Sequence, residues 1–190
     1  MRLKTLFYFL TMILVMFAFV GCDDVPQQEI DDANAALDAA KKAEADKYVP
    51  DKYNAAKQAM DKAMAVVQEE ESSTFSDFDE ARNLLSTAKT AAEEATAAVP
   101  AKKEEAKQAA EAALATIPDE VATTQKMWRS APRGKGTREA LAMIKDEIAK
   151  TAEMQSQVQA AIDGGDYLGA QNKAQEIIGK LKSLQSELQR

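Results

Sequence analysis

The chain has 190 residues, 24 basic against 31 acidic side chains and a formal charge of −7, with no histidine and one cysteine. The missing histidine removes the commonest general base and the usual metal ligand, and a lone cysteine forms no internal disulfide and no multi-cysteine metal site. The acidic excess opposes a chain built to coat nucleic acid, so the expectation is a non-catalytic protein with no metal, no cofactor and no nucleic-acid partner.

The chain starts with Arg2 and Lys4, then an apolar run over residues 5–20. That run is shorter than the roughly 20 residues a helix needs to cross a bilayer, which suits a signal sequence. It ends in Phe19–Val20–Gly21–Cys22. This resembles a bacterial lipobox, with Phe19 where leucine is usual. The resemblance implies cleavage between Gly21 and Cys22, then a diacylglycerol and an N-acyl chain on Cys22 as a membrane anchor. Each buried methylene contributes about 0.8 kcal/mol, so two or three chains hold a protein on a membrane almost permanently. Asp23 and Asp24 resemble the sorting signal that retains lipoproteins at the inner membrane; the outer membrane is the alternative. The implied place is the bacterial cell envelope, facing the periplasm, with residues 22–27 as a lipidated tether.

Removing residues 1–21 takes away two of the 24 basic residues and no acid, so 169 residues remain with 22 basic and 31 acidic groups, a charge of −9. Alanine, glutamate, lysine, leucine and arginine make up 84 of these 169, the composition of long helices. Leucine, isoleucine, valine and phenylalanine number only 25, few enough to suggest disorder. Mixed charge and regular spacing of those few argue for folding instead.

Five stripes step by three and four residues, as a packed helix face requires. They are Ile30–Ala33–Leu37–Ala40; Tyr53–Ala56–Met60–Ala63–Val67; Phe78–Ala81–Leu85–Ala88–Ala92–Ala95–Val99; Leu141–Ile144–Ile148–Val158–Ile162, interrupted by Thr151 and Gln155; and Tyr167–Ala170–Ala174–Ile177–Leu181–Leu184–Leu188. No segment alternates with period two. The expected fold is all-α: an elongated antiparallel bundle of helical hairpins with alanine-rich seams and no sheet.

Punctuation divides the chain further. Pro50 and Pro118 each precede an acid and suit a first helical turn. Ser72–Ser73–Thr74 ends a helix, and Ser76 or Asp77 can cap the next. Pro100 either breaks or kinks its helix, because Ala95, Val99 and Ala106 stay in phase across it. Gly164–Gly165 ends another helix and Asp166 caps its successor, which forces 137–163 and 166–189 into an antiparallel hairpin. The expected divisions are a helical domain over 28–117, a short helix with a basic loop over 118–136, and a C-terminal hairpin over 137–190. Three helix starts share an aromatic, alanine three later and an apolar residue seven later: Tyr53, Phe78 and Tyr167 lead them. A ring at the first turn fills the gap between diverging helices, while alanine lets the axes close behind it.

An alanine-rich helix leading into Tyr48–Val49–Pro50–Asp51–Lys52–Tyr53–Asn54–Ala55–Ala56, then Ala59 and Ala63, resembles a helical domain of unknown function found in bacterial envelope lipoproteins. The resemblance covers about residues 28–99 and implies an envelope helical bundle with no known activity. Gly165–Asp166–Tyr167–Leu168–Gly169–Ala170 is similar to the second helix of a tetratricopeptide repeat, although the first-helix pattern is missing.

One stretch stands apart. Residues 126–138 carry Lys126, Arg129, Arg133, Lys135 and Arg138, no acid, and the only tryptophan, Trp128. Pro132, Gly134 and Gly136 read as a loop, with Thr137 capping the next helix. The loop either contacts an envelope protein, an anionic headgroup or the cell wall, or Trp128 merely pins it to the bundle while the bases stay solvated. Glu69–Glu70–Glu71 reads as a solvated helix end, its spacing unlike a calcium loop. Gly134–Lys135–Gly136–Thr137 lacks the strand and the earlier glycine of a phosphate-binding loop. Function thus divides between a lipid-anchored helical interaction module, a peptidoglycan-binding spacer and, remotely, an enzyme. Gln189–Arg190 offers no terminal lysine for covalent wall attachment, which leaves the spacer a non-covalent route.

Overall fold

A computed structural model describes residues 24–134 and 137–189. The leader, Gly21, Cys22, Asp23 and Lys135 therefore lie outside the described residues. Six helices occupy nearly all the rest: α1 (Gln27–Lys42), α2 (Ala45–Tyr48), α3 (Pro50–Glu71), α4 (Asp79–Ser130), α5 (Arg138–Asp163) and α6 (Tyr167–Leu188). No strand forms among the described residues, and no helix among them is long and apolar enough to cross a membrane. The chain divides into two compact units at Val99/Pro100, inside α4.

The first unit packs α1, α3 and the start of α4 in an up–down–up order. At one end Ile30 and Ala33 of α1 meet Met60, Ala63 and Val67 of α3 and Phe78, Ala81, Leu85 and Ala88 beside and within α4. At the other end Ala40, Ala45, Val49 and Ala56 meet Ala92, Ala95 and Val99. Alanine at these contacts lets the helix axes approach closely. The stripe Phe78 to Val99 is buried at every position named from the sequence.

The α1–α3 connection was not legible as a turn. The chain reverses at Glu44, whose φ of 68° is left-handed, then makes the single turn of α2 and starts α3 with Pro50 at its first position. That region favours glycine or asparagine, and neither is present to announce it. The α3–α4 turn is tied down by side chains. Ser72 Oγ donates to Glu69 O (2.8 Å), Ser76 Oγ donates to Glu70 O (3.0 Å), and Asp77 N donates to Glu70 Oε2 (2.9 Å). Asp77 Oδ1 then accepts from Asp79 N at 3.0 Å and caps α4.

The second unit repeats the up–down–up order with α4, α5 and α6. Ala110 and Ile117 of α4 pack on Val158 and Ile162 of α5 and on Ala170, Ala174, Ile177 and Leu181 of α6. Further along, Ile144 and Ile148 meet Leu184, with Val121, Trp128 and Leu188 against them. Thr151 does not break the α5 stripe. It is fully buried, and its hydroxyl donates to the Ile148 carbonyl one turn back. The α5–α6 hairpin closes as expected: Gly165 takes φ 80°, and Asp166 Oδ1 accepts from Gly169 N at 3.1 Å.

One expectation is corrected in α4: Pro118 does not start a helix. Pro100, open between a break and a kink, does not end one; both lie inside Asp79–Ser130. A proline inside a helix forfeits one hydrogen bond and costs about 3 kcal/mol. Around Pro118 the buried line Ala110–Ile117–Thr124, flanked by the half-buried Leu114, Val121 and Trp128, keeps its helical phase. Burial on one face offsets the loss, and Pro118 itself stays exposed on the other.

Candidate functional site

The basic stretch is not one loop. Because α4 runs to Ser130, Lys126, Trp128 and Arg129 stand on its last turns, and the connection begins at Ala131. Trp128 is half-buried, and its Nε1 donates to the Leu141 carbonyl of α5 at 2.7 Å. The indole therefore pins α4 to α5. The connection then folds back over the ring, and the Arg133 guanidinium carbon sits 5.4 Å from the ring centroid, within cation–π reach.

Thr137 precedes α5 as expected, but its hydroxyl does not cap the helix. It accepts from Gly134 N at 2.8 Å and donates to Pro132 O at 3.1 Å. Those bonds close the connection on itself and hold Arg133 in place.

Between connection and helices lies a cleft of about 480 Å³, lined by Trp128, Arg133, Gly134, Arg138, Leu141, Ala142 and Lys145. Of the bases named from sequence, Arg133 and Arg138 reach this cleft. Arg129 borders a smaller hollow of about 230 Å³, where Trp128 and Lys145 also take part, and Lys126 borders neither. Lys145 was missed. It lies two turns into α5, and only the α4–α5 packing brings it beside Trp128.

Arg133, Arg138 and Lys145 form no ion pair with a carboxylate among the described residues, in contrast to Lys89, Lys150 and Lys180. Three cations converging on an apolar wall of Trp128 and Leu141 can accept a carboxylate or phosphate while the ring and Ala142 contact the body that carries it.

Other charged groups serve packing. Glu147 of α5 is paired with Lys180 of α6 and with Lys150 at 2.9 Å, and these partners, Lys180 first, hold its carboxyl below the ordinary range. A general acid needs the opposite shift. Lys89 of α4 bonds Asp32 of α1 at 2.8 Å, and that bond raises its pKa. In the second unit Gln185 Nε2 donates to Glu120 Oε2 (2.8 Å) and to Thr124 Oγ1 (3.0 Å), so the buried threonine is satisfied across α4 and α6. Asp24, the one described residue of the sorting pair, is exposed, and its carbonyl accepts from Arg82 Nη2 at 3.4 Å. Among the described residues no three histidine, cysteine, aspartate or glutamate side chains gather as a metal site would require.

The fold defines an all-α protein of helical bundles. No protein-family model, no curated protein and no solved structure matches the chain.

Proposed function

We propose that this chain is a lipid-anchored lipoprotein of the bacterial cell envelope, fastened by acyl chains on Cys22, whose helical units form a non-catalytic interaction module. In this reading the Trp128 cleft receives an anionic group of another envelope component. The observation that carries it is the convergence of Arg133, Arg138 and Lys145 on Trp128 with no carboxylate partner among the described residues, in a chain that is acidic overall. Charge-assisted bonds at such a cleft contribute about 1.5–3 kcal/mol each.

The test is crosslinking in intact cells with the Arg133→Gln/Arg138→Gln variant beside the wild type. Both side chains are exposed, so helicity stays unchanged. The captured component should fall by about tenfold or more, since 1.4 kcal/mol is one decade. Undiminished capture by the double variant rejects the cleft as the contact.

A second reading keeps the same cleft and changes the ligand: the carboxylates of cell-wall stem peptides, held non-covalently by a peptidoglycan-binding spacer. Co-sedimentation with purified, protein-free sacculi separates the two. Retention that needs Arg133 and Arg138 favours the spacer, and a free supernatant favours a protein partner.

A further inference from the structure

The first unit carries an exposed aromatic that its own packing does not explain. Phe75 is 88 % exposed, whereas Phe78, three residues on, is 1 % exposed and fills the core. Phe75 is not on a loose segment. Its N–H donates to Ser73 Oγ at 3.3 Å, and Ser72, Ser76 and Asp77 bind the last turn of α3 on either side of it. The turn is built, and it is built with a ring facing water.

That turn shares an end of the unit with the start of the described chain. Ile30, in the first turn of α1, packs on Val67 and Phe78, which flank the turn. Val25 and Met64, both partly exposed, border a hollow with Val67, Gln68 and Glu71. Arg82, one turn into α4, reaches Asp24 O and also pairs with Glu29. Cys22 precedes Asp24 by two residues, and two residues of chain span at most about 7 Å. An anchor on Cys22 therefore brings the bilayer surface to this end of the unit.

We propose that Phe75 is a second membrane contact: the ring at the tip of the α3–α4 turn enters the interfacial layer of the bilayer that holds the acyl chains of Cys22. The inference rests on the lipid-anchor reading above. The anchor fixes distance from the membrane but not tilt, and a ring on a braced turn supplies a second point. Such an apolar group settles about 5–10 Å into the headgroup boundary. The groups around Phe75 specify the lipid. Asp24, Glu69, Glu70, Glu71, Asp77 and Asp79 lie at this end, and Arg82 is engaged by Glu29 and Asp79. An acidic rim is repelled by anionic headgroups, so the fitting surface is zwitterionic.

The experiment uses the full lipidated protein, with acylation of Cys22 verified by mass, carrying Phe75→Trp. It is reconstituted in phosphatidylcholine vesicles whose acyl chains are brominated, with the wild type, whose single tryptophan is Trp128, as reference. The new tryptophan should show a blue-shifted emission and lose about half its intensity or more to bromine, as a ring at interfacial depth does. The loss should shrink when phosphatidylglycerol replaces half the lipid. Water-like, unquenched emission from the acylated Phe75→Trp protein in both vesicles overturns the proposal and leaves the anchor reading standing. A Cys22 found unmodified removes both. Because residue 75 is exposed, the variant folds as the wild type does, which circular dichroism checks.

Discussion

The two units solve one packing problem with different side chains. Both run three helices up, down and up, and α4 contributes to each. The first has few large residues, gathered with Phe78 and Leu85 at one end, and closes its other end with Ala40, Ala45, Ala56, Ala92 and Ala95. The second fills its seam with Ile117, Ile144, Ile148, Val158, Ile162, Ile177, Leu181 and Leu184. An alanine seam stabilises through close fit of backbones, and a branched aliphatic seam through area removed from water. The first should be more sensitive to added volume, and the second to lost volume.

Truncation in the second unit tests this with the largest effect. Leu181 is fully buried, so Leu181→Ala should lower stability by about 2–5 kcal/mol, seen as faster amide exchange in α5 and α6. Pro118→Ala should act in the opposite sense. It restores a helical hydrogen bond on an exposed face and should raise stability by about 2–3 kcal/mol, read as a higher denaturation midpoint. In the first unit Ala92→Leu adds volume where the seam has none to spare. It should cost about 1–3 kcal/mol, with faster exchange in α1 and α3. If Ala92→Leu proves neutral, the seam is loosely packed and the contrast between the units fails.

The smallest effect is in pH. The Glu147 carboxyl is held low by Lys180 and Lys150, so its contribution is present above the ordinary carboxylate range and fades as pH falls through the depressed value. Lys89 is held high by Asp32, so its contribution is present below the ordinary lysine range and is lost as pH rises through the raised value. Acid below the ordinary carboxylate range should thus loosen the α5–α6 pairing of the second unit, and strong alkali the α1–α4 pairing of the first. Both pairs are solvent-exposed in good part, so salt should erase most of the difference. Amide exchange at low and high ionic strength measures it.

Spacing made much of this fold legible. Every residue named in the five helical stripes is buried or half-buried, and Ala56, Ala81 and Ala170, each three after a leading aromatic, are fully buried, but no stripe named Ala110, Ile117 and Thr124 of α4. Local chemistry also marked Asp77 and Asp166 as caps. What it hid was set by packing between helices. Pro118 reads as a helix start until the face carrying Ile117 and Thr124 is seen to continue through it. Glu44 carries no glycine-like signal for its left-handed turn. Glu70 looked like one of three solvated acids, yet it accepts from Asp77 N and holds the α3–α4 turn. At the candidate site the sequence marked Trp128, Arg133 and Arg138 because they cluster along the chain. Lys145 joins them only in space, and Lys126 is a neighbour only in sequence.

The account of function depends most on the chemistry of one residue. Intact-mass and peptide analysis of the protein extracted from membranes of cells that express it examines that residue directly. The account predicts a chain beginning at Cys22, with a diacylglycerol on its sulfur and an acyl chain on its amino group. A chain that still carries residues 1–21 and a free thiol at Cys22 would contradict it.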